Sequence, residues 1–220
     1  DLDNIVASAD SVSSLIDAPV VTGDTKVMPK GELDGIIINV AGIGMAEQVI
    51  KNDNISVGDR LIVSGTVGDH GGAILAKRFG YQSDLVSDCA PVLDVMNIAR
   101  GKAKAAKDPT RGGIAACLNE FADKAKVRIL VDEEKIPVRR ETKAICDILG
   151  LDPLNLACEG RVVFAVSSDV CEEVLVALRE KYPGAADIGT AVEGSGVVMK
   201  TKMGTRFLDN PRGAGVPRIC

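Results

Sequence analysis

Glycine punctuates this chain. Short apolar runs close at Gly42-Ile43-Gly44 and at Gly65, and others open at Gly71-Gly72 and at Gly112-Gly113. Few elements can grow long, and many end in a loop where backbone can approach a ligand closely. With 23 glycines in 220 residues, the pattern is that of an enzyme scaffold with functional loops. No apolar run approaches the ~20 residues a helix needs to span a bilayer, which argues against a membrane protein. Hydrophobic residues make up 46% and charged residues 26%, enough for one or two domains around a sizeable core and too apolar for a disordered chain. Residues 1–17 lack the basic start and continuous apolar stretch of a signal peptide. The chain opens directly in a helix with neither leader nor cap, which suggests a fragment.

The formal net charge is −5 and aromatic residues are 3%, with no tryptophan. No basic stripe is available to follow a duplex and no stacking platform for bases, so nucleic acid is not the expected partner. A nucleotide held by local groups is compatible with this balance. The six cysteines, at 89, 117, 146, 158, 171 and 220, form no C-x-x-C pair, and His70 is the single histidine. That argues against a zinc site and against a disulfide framework. Five read as reduced, buried hydrophobes of a cytoplasmic protein. Cys220 differs because it is the last residue.

Periodicity predicts an amphipathic helix over 1–16, then short strands at 19–22 and 35–41. A polar stretch at 52–54 marks a domain boundary. Beyond it the pattern predicts a strand within 58–65 and helices near 71–79, 89–99 and 111–125. A strand at 127–131, a helix at 138–149, a strand at 161–166 and a helix at 169–181 come next. A strand pair at 189–193 and 196–200 ends the series. The third helix carries Asp108-Pro109-Thr110 as a start signal. The mixture implies an α/β or mixed α+β architecture. Residues 1–54 and 55–208 form two domains, and 209–220 a mobile Pro/Gly-rich tail.

Five segments carry candidate chemistry. Gly23-Asp24-Thr25-Lys26 follows a predicted strand: Asp24 suits Mg²⁺ and Lys26 suits charge developing on a phosphoryl group, the alternative being a solvated polar turn. Gly68-Asp69-His70-Gly71-Gly72 opens a helix, where free N–H groups favour anions or Asp69 acts as a plain cap. His70 reads as an exposed loop residue. Asp108-Pro109-Thr110-Arg111-Gly112-Gly113 offers glycines for close approach and donors from Thr110 and Arg111, or else only a well-capped helix. In Cys158-Glu159-Gly160-Arg161, Glu159 is either a general base at a sheet edge or a salt-bridged turn residue. Finally, the twelve residues from Asp209 could carry the Cys220 thiol roughly 40 Å at about 3.3–3.6 Å per residue.

Taken together, Gly23-Asp24-Thr25-Lys26-Val27, Gly68-Asp69-His70-Gly71, the Asp-Pro-Thr-Arg-Gly-Gly element and above all the ending Pro217-Arg218-Ile219-Cys220 resemble the HypE family of hydrogenase maturation proteins. These are carbamoyl dehydratases of the aminoimidazole-ribonucleotide-synthetase-like ATP-binding superfamily. The resemblance implies a two-domain synthetase-like fold. Its first domain packs against its twin in a homodimer and begins earlier than residue 1, with a Gly-rich segment and further acidic Mg–ATP ligands. It implies that a carbamoyltransferase, HypF, places a carboxamide on Cys220, that ATP drives its dehydration to a thiocyanate, and that cyanide passes to iron on a HypC–HypD scaffold. Asp24 would then serve Mg²⁺ and, with Thr25, Asp108, Thr110, Arg111, Gly112 and Gly113, the nucleotide or tail. Lys26 and Glu159 would act catalytically on the group held by Cys220. Two alternatives stay open at this stage. One is a related small-molecule kinase or synthetase of the selenophosphate-synthetase or thiamine-phosphate-kinase type, and the other a docking fragment without catalysis.

Overall fold

The computed structural model describes residues 2–33, 35–46 and 49–211. Contacts divide the chain into two compact units, Asp1–Val49 and Ile50–Cys220. In the first, helix α1 (Leu2–Leu15) forms as expected, and it buries none of its residues within the chain. It closes where Asp17 turns to φ 51° and the Ala18 N–H reaches back to the Ser13 carbonyl at 2.9 Å, a short αL stop. The strands expected at 19–22 and 35–41 do not form: among its described residues this unit holds no β-strand. A strand is stabilised by ladder partners and by burial of one face. Here Val20, Val21, Ile36, Ile37, Ile38 and Val40 are all exposed, so β-branched composition has nothing to act on.

The second unit is built on a seven-stranded sheet among the described residues. Its strands are β1 (Arg60–Val63), β2 (Ala103–Lys107), β3 (Arg128–Asp132), β4 (Val163–Val166), β5 (Ala186–Val192), β6 (Gly196–Thr201) and β7 (Gly204–Phe207). They lie in the order β2-β4-β1-β5-β3-β6-β7. Only β3 and β6 run parallel. The helices are α2 (Asp69–Phe79), α3 (Leu93–Ile98), α4 (Gly113–Ala125), α5 (Arg140–Leu149) and α6 (Cys171–Lys181). The mixed α/β class is therefore as expected, but the pair anticipated between β5 and β6 is not made. Strand β3 lies between them, because the short link from β5 to β6 crosses over it to a parallel partner. The periodicity did not reveal β2, whose Ala-Lys-Ala-Ala-Lys sequence carries no β-branched residue, or β7, an exposed edge strand.

Strand alternation divides the core between the two faces of the sheet. Leu61 and Val63 join Ile129, Val131 and Ile188 against Ile114, Leu118 and Phe121 of α4. Ile62, Phe164 and Val166 join Val95 of α3 and Val174 and Leu178 of α6 on the opposite side. Because helices cover both faces, every residue of β4 is buried, and its sequence is an unbroken apolar run rather than an alternation. A third cluster, Leu75, Ile145, Cys146 and Leu156, ties α2 to α5.

Candidate active site

The sheet register builds the site. Strand β2 pairs antiparallel with β4, Lys107 opposite Val163, so the chain leaving β2 lies beside the chain arriving at β4. A bond from the Cys158 N–H to the Pro109 carbonyl at 3.0 Å draws the two connecting loops together. Between them opens a cavity of about 430 Å³ carrying the side chains of Lys107, Asp108, Thr110, Glu159 and Arg161, with Met96 in its apolar wall. Three sequence-predicted residues, Asp108, Thr110 and Glu159, thus meet in one place.

Glu159 is fixed by its backbone. Its N–H donates to Asp88 Oδ1 at 3.0 Å, and its own Oε1 is buried without a hydrogen-bond partner. The following residue must be glycine, since a Cβ on Gly160 would fall 2.0 Å from the Asp88 carbonyl oxygen. Arg161 Nε donates to the Thr66 carbonyl at 3.1 Å and lies 3.5 Å from Asp88 Oδ2. Burial pushes the Asp88 carboxyl up from its ordinary range, opposed by the Glu159 N–H and the Arg161 guanidinium. At the cavity's other side Lys107 pairs with Glu120 at 3.1 Å. Lys124, followed by Lys107, holds Glu120 down to about 2, against the pull of burial.

The glycines at the head of α4 do structural work. Gly112 caps the helix at φ 75° with no side-chain cap, so neither Asp108 nor Thr110 acts as the expected start signal. Gly113 follows at φ 61°, where a Cβ would sit 2.5 Å from the carbonyl oxygens of Leu154 and Leu156. Arg111 is exposed and does not line the cavity. Asp69, too, is other than a plain cap: it is buried, accepts from the Thr66 hydroxyl, from Thr142 Oγ1 at 2.7 Å and from Arg139 Nε at 2.9 Å. It thereby links α2 to the start of α5. His70 lies in α2, half-buried rather than in an exposed loop. One ring nitrogen contacts Ser87 Oγ at 2.8 Å and Nε2 is buried without a partner.

Asp24, Thr25 and Lys26 belong to the first unit, in an exposed stretch without regular structure. There the Thr25 N–H donates to Asp24 Oδ1 at 2.8 Å. Cys220 and Arg218 lie outside the described residues. Among the described residues no group of three or more His, Cys, Asp or Glu side chains could hold a metal, and no helix is long and apolar enough to cross a membrane. Sequence reasoning missed Asp88. The pattern predicts a helix from residue 89, just past Asp88, whereas α3 begins at Leu93. The turn signal Ser87-Asp88-Cys89-Ala90-Pro91 was the available clue.

Residues 56–202 match the family model of the AIR synthase related protein C-terminal domain. The chain is 44% identical over 230 residues to a putative hydrogenase expression/formation protein of Methanocaldococcus jannaschii, covering all of this chain and 68% of that protein. To the carbamoyl dehydratase HypE of Rhizobium leguminosarum bv. viciae it is 41% identical over 233 residues, covering all of this chain and 67% of that protein. The chain belongs to the HypE family. Its fold agrees: the crystal structure of Escherichia coli HypE superimposes with a TM-score of 0.90 at 37% identity, over the whole of this chain and 71% of that one. A HypE crystallised in complex with ATP gives 0.89 at 34% identity, over all of this chain and 70% of that one. The HypE of a HypE–HypF complex gives 0.84 at 32%, over 96% and 72%. A thiamine-monophosphate kinase, at 22% identity and 0.57, shares the fold only. The HypE family is thus the one whose members are named carbamoyl dehydratases of hydrogenase maturation, and the small-molecule kinases are distant neighbours.

Proposed function

We propose that this chain acts as an ATP-dependent carbamoyl dehydratase, converting a carboxamide carried on Cys220 into a thiocyanate that supplies the cyanide of the hydrogenase iron. The observation that carries the reading is Glu159: a carboxylate oxygen, buried and unpartnered, on a side chain that lines a cavity of about 430 Å³. An idle acceptor in such a site is costly unless a substrate uses it. ATP, when bound, supplies the phosphoryl group that makes the carboxamide oxygen a leaving group, so carboxamide and ATP give thiocyanate, ADP and phosphate. One N–H proton leaves to water as the carboxamide oxygen takes the phosphoryl group, and Glu159 takes the second as the C–O bond breaks and the C≡N bond completes. Lys107 and Arg161 set positive charge at the same cavity, where it favours an oxygen leaving as an anion.

The remaining roles follow the resemblance. Lys26 neutralises phosphoryl charge, with Thr25 next to it in the chain. In the second unit Thr110 and Arg111 donate to phosphate or tail oxygens, with Asp108 in the same cavity lining as Thr110. Gly112 and Gly113 line that site through their backbone, the Gly113 N–H being held by the Thr110 carbonyl at 3.0 Å. Mg²⁺ takes one or two carboxylates and completes its shell with water and phosphate, so exposed Asp24 is chemically suited as one ligand. Residues 1–54 are the remainder of the nucleotide-binding and dimerisation domain, 55–208 the α/β domain and 209–220 the arm that carries Cys220. A cytoplasmic homodimer working with HypF and a HypC–HypD scaffold completes the proposal.

Mass spectrometry of the Cys220 peptide tests it, after incubation with HypF, carbamoyl phosphate and ATP. The expected product is carboxamide minus one water. Glu159→Gln should stop at the carboxamide, slowing the second step by about 10²–10⁴. Nucleotide turnover that survives Cys220→Ala would favour a small-molecule kinase instead.

A further inference from the structure

Asp88 enters none of the motifs above, yet both ends of the Glu159-Gly160-Arg161 tripeptide converge on it. The geometry points to Asp88 as the positioning residue of the base. One carboxylate, accepting the Glu159 N–H at 3.0 Å and facing Arg161 Nε at 3.5 Å, holds the tripeptide so that the Glu159 side chain is presented to the cavity. This inference rests on Glu159 being the base.

Four observations support it. The Asp88 side chain is almost wholly buried. The Glu159 N–H satisfies Oδ1, while Oδ2 has no hydrogen-bond partner among the described residues and meets Arg161 by charge alone, so these two contacts are what offset the water it has lost. The contact is intimate, since the Asp88 carbonyl excludes any Cβ at residue 160. The same segment continues into Ala90, Pro91 and Val92, which line the cavity that receives Glu159, so a shift of Asp88 moves base and wall together. Finally, no hydrogen bond from another described side chain reaches Glu159 Oε1, so among the polar contacts the one at its backbone N–H sets its direction. A base held by its peptide rather than by its carboxylate keeps the carboxylate available for the proton it must take.

The test uses the intact protein, carbamoylated on Cys220, in single turnover, following the rate constant of thiocyanate formation and the ATP concentration giving half that rate. Asp88→Asn keeps an oxygen for the Glu159 N–H and loses the charge opposite Arg161. Asp88→Ala loses both. Displacement of a reacting group by about 1 Å can cost on the order of 10²-fold. We expect Asp88→Ala to slow the step about 100-fold and Asp88→Asn about 10-fold, with the half-saturating ATP concentration within about twofold of wild type. Added to Glu159→Gln, Asp88→Asn should cost less than about twofold, because its effect passes through the residue already removed. Circular dichroism of each variant establishes that it is folded. An Asp88→Asn protein that is folded and as fast as wild type overturns the proposal. So does a rate loss of equal size in the presence and absence of Glu159. If Glu159→Gln itself proceeds at the wild-type rate, the base assignment falls, and this inference falls with it.

Discussion

The two units treat the same kind of residue in opposite ways. In the second, Leu61, Ile62, Phe121 and Phe164 have no exposed surface, and the buried β-branched strand residues share two core clusters with residues of α3, α4 and α6. In the first, the run Ile36-Ile37-Ile38 is exposed along its length and α1 buries nothing. Burial of an Ile or Leu side chain is worth about 1.5–3 kcal/mol relative to leaving it in water, and unit one gains little of this within the chain. The difference separates two meanings of an apolar run. In 60–63 and 163–166 it signals a core strand. In 35–41 it marks apolar surface that gains nothing from burial among the described residues, the kind of surface that the homodimer proposed above would cover.

The sharpest way to break this comparison is to open a cavity in the second unit. Phe121→Ala, beneath the sheet on α4, should lower unfolding stability by about 3–5 kcal/mol, read by urea titration. Gly113→Ala comes next. It adds a Cβ 2.5 Å from two carbonyl oxygens at φ 61°, and a cost on the order of 1–3 kcal/mol follows from strain and overpacking. A loss below 1 kcal/mol at either position would mean that this unit, too, relaxes freely.

A smaller effect comes from charge. The folded pKa of Glu120 is held at about 2, below its ordinary value of 4.5, chiefly by Lys124 and then Lys107. A carboxylate depressed on folding contributes stability that is present above 4.5 and lost as pH falls towards 2. The side chain is 34% exposed, so screening limits the contribution to at most about 1 kcal/mol. Glu120→Gln should flatten that part of the acid limb of a urea-denaturation pH series. Asp88 works in the opposite sense. Burial raises its folded pKa, so its contribution weakens stability as pH rises through that window, and Asp88→Asn removes the dependence.

Sequence reasoning reads this chain best where an element's surroundings are uniform. Helices α4, α5 and α6 were visible, within a few residues at each end, because one face packs and the other is wet. Strands β1 and β4 were visible because both faces are covered. Edge strands β2 and β7 were not, since half of what stabilises them is a neighbour's backbone, which leaves no mark on side-chain pattern. The order β5-β3-β6 was equally hidden, as a parallel crossing depends on partners distant in the chain. Of the candidate site, Glu159, Asp108 and Thr110 stood out as polar residues beside glycine or proline at the ends of apolar runs. Asp88 did not, because its importance comes from a contact across 71 residues to Glu159. The reading of Asp69 as a helix cap failed for the same reason: its partners Arg139 and Thr142 lie on α5 and just before it.

The smallest expected effect is the most informative about the first unit. Ile37 is 73% exposed, and surface substitutions away from special features usually change stability by no more than about 0.5 kcal/mol. Ile37→Ser should therefore leave the urea midpoint of a dilute sample unchanged. If the exposed run is covered by a second copy, the same substitution removes apolar area from a self-complementary interface twice over, once on each copy. The loss then appears as a dissociation midpoint moved to higher protein concentration in sedimentation at a series of dilutions. A midpoint loss above 1 kcal/mol in dilute solution would instead mean that Ile37 is buried within its own unit. An unchanged association would mean that the covering surface lies elsewhere.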